Sequence, residues 1–356
     1  MLPPVARLTR GVAATQVTGE GNSHSNGRAS ATVPRIFDVS RNEAEAIAAA
    51  ASALVRGDLV AMPTETVYGL AADAGNAAAV GRIFLAKGRP RFNPLIVHVP
   101  SLPRAEEIAE FSEVARALAE AFWPGPLTLV LPRRKDAPVA DLTTAGLDTI
   151  AIRVPAHPVA LALLEASGRP IAAPSANRSG HVSPTTAAHV VEDLGEAVSV
   201  ILDAGAAPIG LESTIVGLAS GEPLLLRAGG LARSKIEAVL GRKLGVAVTD
   251  QAAPVAPGML ASHYAPSAEL RLDVREVRAG EALLAFGREA LPGAERAVAT
   301  INLSPSGDTS EAAAKFFAGL RDLDRRAKVI AVAPIPDRGL GEAINDRLRR
   351  AAAPLF

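Results

Sequence analysis

Lys87, Arg89 and Arg91 put three cations within five positions, broken by Gly88 and Pro90, so they cannot ride a regular helix. Asn93-Pro94 turns the chain, and Leu95 to Val99 is an apolar, β-branched run that reads as a buried strand. Cations on an irregular loop feeding a core strand make a fixed anion site, because the packed strand holds the loop still. Taken alone, the cluster reads first as a solvated basic turn, and Lys87 suits the C-terminal end of a helix, where the dipole favours a cation. Further along, more polar groups gather at the ends of predicted strands: Arg153, Arg227, Thr66, Thr149, Ser175, Asn177, Ser183, Ser213 and His98.

Arg153 lies inside Ile150-Ala-Ile-Arg-Val154, where a charge must meet a partner or a cavity. It is either half of a buried ion pair or an arginine set for bidentate capture of a carboxylate or phosphate. His98, in an apolar strand, reads by itself as a core histidine. Ser175 has no histidine–carboxylate pair in a nucleophile elbow, and there is no Walker loop, HExxH or kinase signature. Such an inventory positions anions without a covalent enzyme intermediate. Orientation and charge neutralisation would do the chemistry, as in nucleotidyl or phosphoryl transfer.

The elements that must hold these groups alternate between strand and helix. A capping box at Ser40-Arg-Asn-Glu43 opens a helix stopped by Gly57, and Asn76 caps a second helix ending near Lys87. Strands are predicted at Leu59–Met62, Leu95–Val99, Leu127–Leu131, Thr149–Val154, Ile171–Ala173, Val198–Leu202, Thr214–Val216 and Leu224–Leu226. Ser183-Pro184 reads as an N-cap with proline at the first helical position, and Ser234 to Glu237 opens a closing helix. Several consecutive strands lack a helix between them, so the sheet is expected to be mixed. The partition is a tail at 1–34, a catalytic α/β domain at 35–240, a Pro/Gly-rich linker at 241–268 and a small parallel, Rossmann-like α/β domain at 269–356. The tail is expected to be unstructured or a transit peptide. Gly339-Leu-Gly341 lacks a third glycine and opens the last helix, which argues against a dinucleotide role.

At 356 residues the chain exceeds what a single core usually supports. Its formal net charge is zero and aromatics make up 3%, so RNA binding is expected to be weak or local at most. Cysteine is absent, which suits a reducing compartment, and no apolar run approaches the about 20 residues needed to cross a bilayer. A cytoplasmic location without membrane partners is expected.

Lys87-Gly-Arg89 followed by Ser175-Ala-Asn177 resembles the YrdC-like family, whose hallmark is a KxR…SxN pair. Pro63 to Leu70, Asn93-Pro-Leu95, Trp123-Pro-Gly-Pro126, Glu212-Ser-Thr-Ile215 and Leu226-Arg227 match in order. Pro257-Gly-Met259, His263-Tyr264-Ala-Pro266 and the small C-terminal domain resemble the two-domain threonylcarbamoyl-AMP synthases. The resemblance implies a YrdC-like twisted open mixed sheet and synthesis of L-threonylcarbamoyladenylate and pyrophosphate from L-threonine, bicarbonate and ATP. A separate transfer complex would pass the threonylcarbamoyl group to the adenosine beside the tRNA anticodon.

By the same resemblance, Thr66, His98, Arg153 and Ser213 match threonine-binding positions, with Arg153 on the carboxylate. Arg89, Asn93, Thr149, Ala173, Ser175, Ser183 and Arg227 match ATP-binding positions, and Tyr264 would close over the nucleotide. Lys87, Arg89, Ser175 and Asn177 would form the catalytic set, with Lys87 near the phosphates and bicarbonate. Magnesium would accompany ATP without a protein-built metal site. One departure is Leu260-Ala-Ser262, where family linkers often carry a basic residue before the His-Tyr pair. The alternatives are a noncatalytic RNA-binding module on the same fold, and a carbamoyl transferase of hydrogenase maturation, whose acylphosphatase-like and zinc-finger modules are missing here.

Overall fold

The computed structural model describes residues 33–246 and 263–353. The expected tail, except Val33 and Pro34, and most of the linker, with Leu260-Ala-Ser262, lie outside the described residues. The strands are β1 (Arg35–Asp38), β2 (Val60–Met62), β3 (Gly69–Asp73), β4 (Ile96–His98), β5 (Leu127–Pro132), β6 (Thr149–Arg153), β7 (Ile171–Ala172) and β8 (Val200–Asp203). They continue with β9 (Thr214–Gly217), β10 (Leu224–Arg227), β11 (Gly245–Val246), β12 (Glu269–Arg271), β13 (Ala282–Ala285), β14 (Ala299–Asn302) and β15 (Val329–Val332). The first helices are α1 (Glu43–Val55), α2 (Ala77–Lys87), α3 (Leu102–Glu106), α4 (Glu113–Phe122) and α5 (Asp141–Thr144). Then come α6 (Pro158–Ser167), α7 (Ala187–Leu194), α8 (Arg233–Leu240), α9 (Thr309–Asp324) and α10 (Gly341–Ala351).

An eleven-stranded sheet runs β1-β8-β2-β3-β7-β4-β6-β5-β9-β10-β11, and a second sheet runs β12-β15-β13-β14. The large sheet mixes parallel pairs such as β4/β6 with antiparallel ones such as β5/β6. The small sheet is parallel throughout. The expected mixed α/β fold with a smaller parallel domain is therefore what the chain forms.

Strand alternation explains where the cleft lies. One face of the large sheet carries Ala61, Leu70, Val97, Ile150 and Ile152 into the main core, with residues of α2, α4, α7 and α8. On the other face, α1 and α6 cover the strands bearing Val60, Met62, Ala71 and Ile171. Farther along that face, Ile96, Val130, Ala151, Ile215 and Leu226 form a separate small cluster with no helical member. The cleft opens beside this apolar patch, which shares Ile96 with it.

Two predicted caps fall elsewhere. Asn42, not Ser40, caps α1 by accepting from the Glu45 N–H, while Ser40 bonds to the Asp38 carboxylate in the preceding turn. Ser183 does not start a helix: α7 begins at Ala187 under a Thr186 cap, and the Ser183 hydroxyl is bonded to Glu212. The closing helix α8 starts at Arg233 and has no side-chain cap. The Asn76 cap holds, with its side chain accepting from Ala78 and Ala79, and Lys87 closes α2 before left-handed Gly88.

The small domain packs α9 and α10 onto one face of its sheet, with Phe316, Phe317, Leu320 and Ile344 fully buried. Val67, Val182, Leu211 and Tyr264 belong to the same apolar cluster, so its core continues to the rim of the large sheet.

Candidate active site

Register sets the centre of the cleft. His98 pairs with Arg153 across β4 and β6, so their side chains stand side by side on the face that lacks helix cover. Arg153 donates through Nη1 to Thr66 Oγ1 (2.9 Å), through Nε to the Gly125 carbonyl (3.1 Å) and through Nη2 to Glu65 Oε1 (2.5 Å). The buried ion pair is thus realised, and the same arginine lines the cleft. Burial, and then the Arg153 charge, push the His98 imidazole down to about 3, so it is neutral at physiological pH. Its Nδ1 has no partner among the described residues.

The cleft encloses about 570 Å³, counted out to its mouth. Next to the Arg153 group, Ser213 Oγ shares a hydrogen bond with Thr128 (2.7 Å), and Arg227 donates to the Ser213 carbonyl (2.9 Å) and hydroxyl (3.2 Å). Arg89 follows, donating to Asn93 Oδ1 (2.7 Å) and the Pro94 carbonyl (2.8 Å). Burial holds Arg89 down to about 10 and lowers Arg227 too, so both guanidiniums sit where an anion would relieve them. Ala173 and Ser175 complete the wall opposite, and His263 and Tyr264 complete it from the small-domain side.

Residues 52–229 match the Sua5/YciO/YrdC family, described as "Telomere recombination", and residues 231–353 match "Threonylcarbamoyl-AMP synthase, C-terminal domain". The threonylcarbamoyl-AMP synthase of Pyrococcus abyssi is 46% identical over 321 residues, covering 85% of this chain and 93% of that protein. The chain belongs to the threonylcarbamoyl-AMP synthase family. The synthase of Bacillus subtilis is 42% identical over 330 residues, covering 88% of this chain and 95% of that protein. A crystal structure of P. abyssi Sua5 complexed with L-threonine matches with a TM-score of 0.79 at 43% identity, over 86% of this chain and 94% of that one.

Nine of the residues singled out from the sequence line this one cleft: Thr66, Arg89, His98, Arg153, Ala173, Ser175, Ser213, Arg227 and Tyr264. The others stand behind it. Lys87 donates its ammonium to the carbonyls of Ser175 (2.6 Å) and Asn177, which ties the KxR and SxN motifs together. Asn177 donates to the Arg178 and His181 carbonyls (both 2.8 Å), and Asn93 braces Arg89. Ser183 donates to Glu212 Oε1 (2.5 Å). Thr149 lies four residues before Arg153 on β6, hence roughly 13 Å away on the same face of the strand.

Tyr264 is buried with a positive φ of 66°, its ring stacked on Phe317 at 5.8 Å. Sequence reasoning assigned no role to Glu65, Glu212 or Arg347. The two glutamates lie inside matched motifs, which was a usable signal. Arg347 had none: only the docking of α10 brings it to Glu212. No helix among the described residues is long and apolar enough to cross a membrane.

Proposed function

We propose that the chain is a nucleotidyltransferase that makes L-threonylcarbamoyladenylate and pyrophosphate from L-threonine, bicarbonate and ATP. The observation that carries this reading is a single cleft with two kinds of cationic wall. One is an arginine paired to a carboxylate among small polar groups (Arg153 with Glu65, Thr66 and His98). The other is the pair of buried arginines Arg89 and Arg227, which bond to carbonyl and hydroxyl oxygens of the cleft. The first suits a zwitterionic amino acid and the second a triphosphate. The threonine in the P. abyssi complex supports the amino-acid assignment.

On this reading Arg153, Thr66, His98 and Ser213 hold threonine, and the neutral His98 offers its nitrogen without competing charge. Arg89, Arg227 and Ser175 face the phosphates, with Asn93 bracing Arg89 and Ser183 holding Glu212. The adenine would lie beside the apolar cluster of Ile96, Val130, Ala151, Ile215 and Leu226, on the side that leads toward Thr149. Threonine's amine attacks bicarbonate with loss of water, or its dehydrated form, carbon dioxide, with loss of a proton from the nitrogen, to give N-carboxythreonine. That carboxylate attacks the α-phosphorus in line and displaces pyrophosphate. Both steps bring anions together, so charge neutralisation and alignment supply the catalysis, and no protein nucleophile is required.

Lys87 acts from behind, holding the Ser175–Asn177 loop and adding positive potential. Magnesium would arrive on the nucleotide. Glu212, the carboxylate on the wall, is already engaged by Ser183 and Arg347, and no group of three or more metal-ligating side chains occurs among the described residues. Phosphate and water oxygens would therefore supply most of its ligands. The product would go to a separate transfer complex acting on the tRNA adenosine beside the anticodon.

The test is pyrophosphate release from ATP and bicarbonate with and without L-threonine. Release should depend on threonine and be lost in Arg153→Ala. Release indifferent to threonine would contradict the proposal.

A further inference from the structure

The small domain places one charged side chain at the back of the nucleotide wall. Arg347 is 0% exposed and reaches from α10 to the large domain. Its Nε and Nη2 both donate to Glu212 Oε2 at 3.1 Å, and its Nη1 donates to the Ala228 carbonyl at 2.6 Å and Asp346 Oδ2 at 3.0 Å. The guanidinium lies 5.1 Å from the centre of the Tyr264 ring. Glu212, in turn, lines the cleft, accepts the Ser183 hydroxyl at 2.5 Å and holds the Gly230 N–H through its carbonyl at 2.8 Å.

A carboxylate on a wall that faces a triphosphate would repel it. Without Arg347, Glu212 would also be an uncompensated buried charge, a costly arrangement. We propose that Arg347 is a positioning residue of the nucleotide site, neutralising Glu212 and fixing it against Ser183 so that the wall stays electropositive toward the triphosphate. The C-terminal domain then takes part in ATP binding through one side chain, besides packing against the large domain. This proposal rests on the cleft's reading as an ATP site.

Domain docking has a second bridging arginine that serves as a control. Arg321 of α9 pairs with Asp193 of α7 at 2.6 Å and donates to the Val182 carbonyl at 2.5 Å, away from the cleft wall. ATP and threonine affinities are measured by calorimetry on full-length Arg347→Met, Arg347→Lys, Arg347→Met/Glu212→Gln, Glu212→Gln and Arg321→Met, each with its thermal midpoint.

Arg347→Met should weaken ATP binding about tenfold or more, the scale of one lost charge-assisted interaction, while threonine affinity stays within about threefold. Arg347→Lys, which keeps the charge, and the neutral double variant should both return ATP affinity to within about threefold of wild type. Arg321→Met should lower the thermal midpoint and leave ATP affinity within that range. If Arg347→Met does not fold, Glu212→Gln carries the test, because removing the carboxylate while Arg347 remains should tighten ATP. Overturning results are equal loss of both ligands, no rescue in the double variant, or unchanged or weaker ATP binding in Glu212→Gln. A wild-type protein that binds no ATP would instead overturn the assignment of the cleft as a nucleotide site.

Discussion

Arg153 and Lys87 are both buried cations beside one cleft, yet they are held differently. Arg153 meets the Glu65 carboxylate at 2.5 Å, so that end of the cleft is locally neutral and rigid. Lys87 and Arg89 are held by carbonyl and amide oxygens, and neither has a carboxylate partner among the described residues. Burial, and next the Arg89 charge, hold the Lys87 ammonium well below its usual value. The difference matches the proposed ligands: an ion pair complements a zwitterion with no net charge, and uncompensated cations complement a polyanion. A site built only of paired charges would be stable but would bind triphosphate poorly. One built only of bare cations would favour any anion over an amino acid.

The largest effect should come from breaking the paired end. Glu65→Gln leaves the shape intact and removes the partner of Arg153; because deleting one member of a buried pair costs about 3–5 kcal/mol, threonine affinity should fall by roughly a hundredfold or more with a lower thermal midpoint. ATP affinity measured alone should barely change. Equal loss of both ligands would erase the contrast between the ends.

At the unpaired end, Arg89→Gln should weaken ATP by roughly tenfold to a hundredfold, the range of hydrogen bonds to a charged group, with threonine affinity within about twofold. Calorimetry on each ligand separately measures the split. A variant that lost threonine first would invert the assignment.

A smaller effect follows from Lys87. A bound triphosphate favours the ammonium, so Lys87 should take up a proton wherever the pH lies between its ligand-free pKa and its higher ligand-bound one. ATP affinity should therefore fall as pH rises through that region. Repeating the calorimetry in buffers of different ionisation enthalpy reads the proton uptake, and Lys87→Met should abolish it. Enthalpies identical in every buffer would show that Lys87 keeps one protonation state throughout.

The motif residues were legible because they are local. Proline, glycine and asparagine fix where a strand stops, and most of the polar groups beside those stops line the cleft. The mixed sheet was legible from strands lacking helices between them. Partnerships between distant segments were not. Ser183 looked like a helix cap because its spacing with Pro184 is right, but its hydroxyl has the Glu212 carboxylate within reach and the helix waits for Thr186. Ser40 lost its cap to Asn42 because Asp38 already holds it. Arg153 left two alternatives open, and only the fold shows that it has a buried carboxylate partner while also lining the cleft. Arg347 sits in an ordinary amphipathic helix, and its burial follows from the docking of one domain on another.

The central claim, that one cleft joins threonine, bicarbonate and the adenylyl group, is tested most directly by incubating wild-type protein with ATP, L-threonine and carbon-13 bicarbonate. The nucleotide products are then weighed by mass spectrometry. The account predicts a product containing threonine, AMP and one labelled carbon, formed in step with pyrophosphate. Pyrophosphate without any labelled adenylate would contradict it.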